Sequence, residues 1–170
     1  MLFSPSTLTF DALDDPQQVL THANRLFYHG DAMSFATMFL MRIDARGRTL
    51  TYAGAGHRAY VLKADRSIDD LPSTGLPLGI VGSAKIAGGE VIHLHQNDIV
   101  ILATDGIEET PNENGVEWSR QRLFDVIDSH RAEPASDIIQ AVFREVADFA
   151  QGVPQQDDRT LVIAKVQQAA

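Results

Sequence analysis

The 170-residue chain contains no cysteine, which excludes a disulfide framework, a thiolate metal site and a cysteine nucleophile. It has no apolar run approaching the ~20 residues that span a bilayer. Met1-Leu2-Phe3-Ser4-Pro5 offers neither a basic n-region nor an apolar h-region, so no signal peptide is read. Positive charge is scarce. Fourteen Lys and Arg against 23 Asp and Glu leave a formal charge of −9, which argues against a broad grip on nucleic acid or anionic lipid. A small local basic patch stays open. Internal repeats, low-complexity tracts and long linkers are absent as well. The expectation is a soluble, cytoplasmic protein with no nucleic-acid or membrane partner. What is present is ordinary: 44% hydrophobic and 22% charged residues fit a globular domain and not a disordered one. The length suits one domain with a core that needs no staples.

Met1 to Asp14 mixes polar, proline and apolar residues without a period. Asp14-Asp15-Pro16 reads as a helix start, a capping acid followed by proline in the first turn. Val19, Leu20, Ala23, Leu26 and Phe27 follow at helical spacing, and Gly30 closes the segment. From Ser34 the texture changes to strands. The run 35–43 is nearly continuous and apolar, and 49–53 and 59–63 look like the next two strands. Their short connections favour an antiparallel meander. Leu76-Pro77-Leu78-Gly79-Ile80 is too rich in proline and glycine for a central strand. Segments 90–94 and 99–104 read as a further pair around the turn Gln96-Asn97-Asp98. The last third is mainly helical. One helix is expected over 118–127, and a stronger one from Pro134 with Ile138, Ile139, Val142, Phe143, Val146 and Phe149 on one face. A buried strand over 160–166 ends the pattern. Strands in a block with flanking helices give an α+β class, a mainly antiparallel sheet with helices packed on it.

Two acidic positions stand out by placement. Asp105 follows the apolar strand Ile99 to Thr104 directly, and Asp157-Asp158 precedes the last strand. If those strand ends are neighbours, two or three carboxylates meet at one rim of the sheet. Such a cluster repels itself unless protonated or neutralised by a cation. Hard divalent ions suit it, because they take oxygen ligands and keep several waters, and they support phosphoester hydrolysis. Acidic residues at strand-to-loop junctions are also common in proteins with no metal, so the residues permit this chemistry without demanding it.

The segments Phe35 to Leu40, Tyr52-Ala53-Gly54-Ala55-Gly56-His57, Gly75-Leu76-Pro77-Leu78-Gly79, Asn97 to Glu109 and Asp157-Asp158-Arg159-Thr160-Leu161-Val162 stand in a meaningful order. Together they resemble the SpoIIE-type branch of the metal-dependent protein phosphatases, the PPM superfamily, from about Asp15 to Val166. The resemblance implies an α-β-β-α fold: a mainly antiparallel β-sandwich flanked by helices. It implies two Mn²⁺ or Mg²⁺ ions held by carboxylates, whose water attacks phosphoserine or phosphothreonine. It makes Asp105 and Asp157 metal ligands, with Asp158 and Gly106 secondary. The substrate implied is a phosphorylated anti-anti-sigma-type regulator, in a bacterial partner-switching pathway that controls sigma-factor activity, with a sensor or receiver domain upstream. One departure matters. The family's opening Gly-Asp-x-x-Asp motif has no counterpart here, since Gly30-Asp31 lies in the wrong order and context. The expectation is a single phosphatase domain over 1–170, with an irregular lead-in 1–14 and a core 15–166, lacking its first strands. Weak activity and a homodimer through uncovered sheet edges follow. The alternative is a non-catalytic partner-binding domain of the same fold.

Other residues read more plainly. His57 is expected to hydrogen-bond its turn, and Gly54 and Gly56 to supply positive φ angles. Glu108 and Glu109 are expected to face solvent, Trp118 and Phe124 to pack a helix on the sheet, and Met33, Met38 and Met41 to fill the core. Arg42, Arg46, Arg48 and Arg58 read as solvated turn charges. A single-metal hydrolase built on His57, His93 and His95 lacks the spacing it would need.

Overall fold

A computed structural model describes residues 14–30 and 34–167. Residues 1–13 of the expected lead-in 1–14, and Met33, lie outside the described residues. The elements in chain order are α1 (Pro16–Phe27), β1 (Met38–Asp44), β2 (Thr49–Ala55), β3 (Ala59–Leu62), β4 (Ile68–Leu71), β5 (Ile92–His93), β6 (Ile99–Ala103), α2 (Asp105–Glu108), α3 (Arg120–Ser129), α4 (Ala135–Ala150) and β7 (Leu161–Lys165). They form two compact units, Met1–Arg58 with Leu71–Leu94, and Ala59–Asp70 with His95–Ala170. The class is α+β with antiparallel sheets and no closed barrel, as expected. No helix among the described residues is long and apolar enough to cross a membrane.

In the first unit α1 starts where the sequence places it. The Asp15 carboxylate accepts the Gln17 backbone N–H at 3.0 Å, and Pro16 occupies the first helical position, where its missing N–H costs nothing. The buried stripe differs from the expected one. Leu20 and Asn24 are buried, whereas Leu26 is exposed. Asn24 earns its interior place by hydrogen bonding: its amide donates to the carbonyls of Val81 and Ala84, and its Oδ1 accepts the Gly79 N–H at 2.9 Å. This side chain fastens the proline- and glycine-rich loop to the helix. A small core of Leu20, Ala53, Ala55, Leu78 and Ile86 lies there.

β1 and β2 form the expected hairpin, in register from Met38↔Ala55 to Asp44↔Thr49. The third strand of the unit is β5, not β3, giving the order β1-β2-β5. The expected meander therefore stops after two strands. The reason is in the backbone of the connection. Gly54 N–H donates to Thr74 Oγ1, and Gly56 N–H to Ser73 Oγ and the Gly75 carbonyl. These groups are spent on segment 73–75, so the chain leaves the sheet. Gly54 is there for close approach, since a Cβ would sit 2.6 Å from the His57 carbonyl oxygen; only Gly56 has the positive φ, at 75°. The His57 ring makes no hydrogen bond among the described residues, contrary to expectation. Met38 is also not core filler, being 42% exposed on the edge strand β1.

The second unit holds the sheet β4-β3-β6-β7. β6 pairs antiparallel with β3 and with β7, in register Ile99↔Lys165 to Ala103↔Leu161. The expected pairing of 90–94 with 99–104 does not form, because β5 goes to β2 in the other sheet. Both faces of β6 are apolar, as befits an interior strand. The core gathers Tyr60, Leu62, Ile99, Ile101, Ile107, Trp118, Leu123, Phe124, Ile127, Ile138, Val142 and Val146. α4 buries Ile138, Val142 and Val146 of the expected face, with Ile139, Phe143 and Phe149 half-buried against the same core, and adds Ala141 and Ala150. Trp118 is buried as expected but precedes α3. Its N–H donates to the Thr110 carbonyl, and Ser119 adopts φ 78°, so the helix begins only at Arg120.

Candidate active site

β6 and β7 run antiparallel, so the end of one lies beside the start of the other. Beyond Ala103↔Leu161 the ladder continues: Thr104 N–H donates to the Thr160 carbonyl at 3.0 Å. Thr104 Oγ1 then works in both directions, accepting the Thr160 N–H and donating to the Asp158 carbonyl, each at 2.9 Å. The following residue is Asp105, which opens the four-residue α2, anchored by the fully buried Ile107. Gly106 is pressed on the opposite turn. A Cβ there would run into the Asp158 carbonyl oxygen and lie 3.3 Å from the Asp157 carbonyl carbon. Only glycine lets the two backbones approach this closely.

The expected neighbourhood of Asp105 with Asp157-Asp158 is therefore built by backbone. Each aspartate spends one oxygen locally: Asp105 Oδ1 accepts the Gly106 N–H at 3.0 Å, and Asp157 Oδ1 the Asp158 N–H at 2.7 Å. Their second oxygens have no hydrogen-bond donor among the described residues. Both side chains are exposed. Beside them a cleft of about 230 Å³ is lined by Gly106, Glu109, Thr110, Pro111, Gln156, Asp157 and Arg159.

Glu108 and Glu109 divide. Glu108 Oε2 takes the Arg120 Nε at 2.9 Å, and although burial alone would lower the Arg120 guanidinium, that carboxylate holds it above its ordinary value. Glu109 instead lines the cleft. Sequence reasoning passed over Arg159. Its signal was a basic residue directly after two acids. Arg159 Nε donates to the Gly106 carbonyl at 3.2 Å, and Thr110 Oγ1 donates to the same oxygen at 2.8 Å. Among the described residues no three His, Asp or Glu side chains gather as a metal-holding group. That holds for the aspartates and for His57, His93 and His95.

The donor set nevertheless fits a hard divalent cation in kind. It is all oxygen, and Mg²⁺-like ions are commonly held by one or two carboxylates with waters completing the shell.

The family signature Stage II sporulation protein E (SpoIIE) matches residues 6–167. The chain belongs to the SpoIIE family. This SpoIIE-family chain is 31% identical over 153 residues to phosphoserine phosphatase RsbU of Bacillus subtilis (strain 168), covering 88% of itself and 45% of that protein. It thus spans about half the length of the curated relative it matches. Among solved structures it is similar to the SiaA-PP2C domain of Pseudomonas aeruginosa, with a TM-score of 0.76 at 21% identity, covering 89% of this chain and 61% of that one. It is also similar to the RsbU and RsbW domains of Rv1364c from Mycobacterium tuberculosis, with a TM-score of 0.71 at 23% identity, covering 89% and 42%. These two likenesses show the PP2C fold. The resemblance as a whole is to metal-dependent phosphatases.

Proposed function

We propose that this SpoIIE-family chain is a phosphatase domain of bacterial signalling that hydrolyses phosphoserine or phosphothreonine on an anti-anti-sigma-type regulator, with Mn²⁺ or Mg²⁺ as cofactor. The observation that carries this reading is the interlock of the Asp105-Gly106 turn with the Asp157-Asp158 turn through Thr104, beside one cleft. It brings side by side the two backbone turns that carry these aspartates, far apart in sequence. The named activity of the RsbU relative supports the same reading.

In this reading Asp105 and Asp157 are the metal ligands, through the oxygens their neighbouring N–H groups leave free. Asp158 and Gly106 act in a secondary way, one by the carbonyl that Thr104 holds and the other by permitting the approach. When bound, a divalent cation supplies polarisation of a phosphoryl oxygen and a water of lowered pKa. The chain's own part is to hold two like charges close together on rigid strand ends, an arrangement whose repulsion a cation relieves. Two protein donors hold such an ion loosely, so activity of this chain is expected to be low and to rise with Mn²⁺ concentration.

Calorimetry with Mn²⁺ on the wild type and on Asp105→Asn, together with phosphate release from a phosphoserine protein, tests the reading. Mn²⁺ binding that disappears in the variant, with Mn²⁺-dependent release by the wild type, is the expected result. A wild type that neither binds Mn²⁺ nor releases phosphate overturns it in favour of a non-catalytic partner-binding domain.

A further inference from the structure

The second unit carries two half-buried arginines that meet the ends of the same strand pair, and they are used differently. All three nitrogens of Arg131 are engaged. Its Nε pairs with Asp128 at 2.9 Å, its Nη1 donates to the Asn97 carbonyl, and its Nη2 to the Lys63 carbonyl. Arg159 makes one bond, from Nε to the Gly106 carbonyl. Among the described residues its two terminal amino groups have no hydrogen-bond partner, and the guanidinium forms no ion pair. That is notable where it stands. Asp157 and Asp158 directly precede it, and Glu109 lines the same cleft. A guanidinium with acids at hand normally takes a carboxylate in bidentate geometry. Here Nε is tied to backbone, and among the described residues the four N–H donors of the terminal amines stay unused in a side chain that lines the cleft.

The charge of the cleft points the same way. Its ionisable lining consists of Glu109, Asp157 and Arg159. A phosphorylated side chain entering it meets two carboxylates and one cation. Arg159 is the group that attracts a dianion, and its planar fork matches two phosphoryl oxygens. The volume, about 230 Å³, falls below the roughly 300–1,000 Å³ of sites for drug-sized ligands and suits one phosphorylated side chain.

We propose that Arg159 is the phosphoryl-binding residue of this cleft, with Nε anchored on Gly106 so that the terminal amines receive the phosphate of a phosphoserine segment. This rests on the phosphatase reading and adds to it the residue that recognises the anion. The anchoring bond also ties Arg159 to the backbone next to Asp105, so the phosphate is received beside the carboxylates.

The test uses the full chain and two variants. Arg159→Gln keeps an amide that can reach the Gly106 carbonyl while removing the charge; Arg159→Lys keeps the charge without the fork. Binding of a phosphoserine peptide is followed by phosphorus NMR, Mn²⁺ binding by calorimetry without phosphate, and folding by thermal melting. Arg159→Gln is expected to weaken peptide binding about tenfold or more, the loss typical of a charge-assisted hydrogen bond, with Arg159→Lys in between. Mn²⁺ affinity is expected to stay level or tighten in Arg159→Gln, because a nearby positive charge is gone. A residue that merely positions the aspartates would lose Mn²⁺ and peptide binding together, which overturns the proposal. Peptide binding that survives in Arg159→Gln, or a wild type that binds no phosphoserine peptide, also overturns it. Absence of Mn²⁺-dependent hydrolysis in a wild type that still binds the peptide through Arg159 sinks the phosphatase reading alone.

Discussion

The two ends of β6 carry an aspartate each, in opposite circumstances. Asp98, just before the strand, is 1% exposed, and its two oxygens receive Lys63 Nζ and the N–H groups of Ala64 and His95. Around it Arg131 reaches Asn97 and Lys63, and Lys165 Nζ reaches the carbonyls of Arg131 and Glu133. Asp105, just after the strand, is exposed and accepts one hydrogen bond, from the next N–H. At the first end every charge is answered by a protein group, which is what burial requires. At the second end Asp105, Asp157 and Arg159 each keep atoms without a protein partner among the described residues. A saturated network can only hold the fold together; an unsaturated one can receive something from outside.

The sharpest way to break the comparison is to neutralise the open end. Asp105→Asn or Asp157→Asn is expected to reduce Mn²⁺-dependent phosphate release by at least about a hundredfold, since the charge stabilisation a metal supplies amounts to several kcal/mol. The thermal midpoint should barely move. An unchanged turnover number would end the distinction. Gly106→Ala attacks the same end without touching a carboxylate. The added methyl meets backbone of Asp157 and Asp158, so the strain is expected to cost about 1–3 kcal/mol in urea unfolding and to weaken Mn²⁺ binding.

At the closed end the signs reverse. Asp98→Ala leaves the Ala64 and His95 N–H groups without their acceptor and is expected to cost about 1–3 kcal/mol of stability. Activity per folded molecule should be kept. The smallest effect lies in the other unit. Asp15→Ala removes the α1 cap for about 1 kcal/mol. Burial alone would raise the Asp15 carboxyl, but hydrogen bonds from the side chains of Gln18 and Gln17 hold it below its ordinary 3.8. Its contribution is therefore complete above pH 3.8 and lost as pH falls through the lower folded value. A wild-type stability advantage over Asp15→Ala that shrinks on acidification in that window would bear this out.

Much of the fold was legible because it is written in local patterns. The start of α1 needs only Asp15 and Pro16, α4 only its four-residue apolar spacing, and the β1–β2 hairpin only two strands with a short turn between them. Strand partnership was not legible. β3 turns away from β2 to lie between β4 and β6, because Thr74 and Ser73, distant in the chain, capture the backbone groups of Gly54 and Gly56; β5 likewise leaves β6 for β2. Asn24 likewise breaks an apolar stripe for a reason that lies 55 to 60 residues away.

The same division runs through the site. Residue order alone determined that an aspartate ends an apolar strand at 105 and that two acids open another at 157, because strand length and polarity are local properties. Tertiary structure alone decided that these turns interlock at Thr104 and Gly106, and that Arg159 keeps its terminal amines unspent while Arg131 does not. Hydrogen-bond saturation depends on which backbone carbonyls arrive within reach, and that is settled only when distant strands pair.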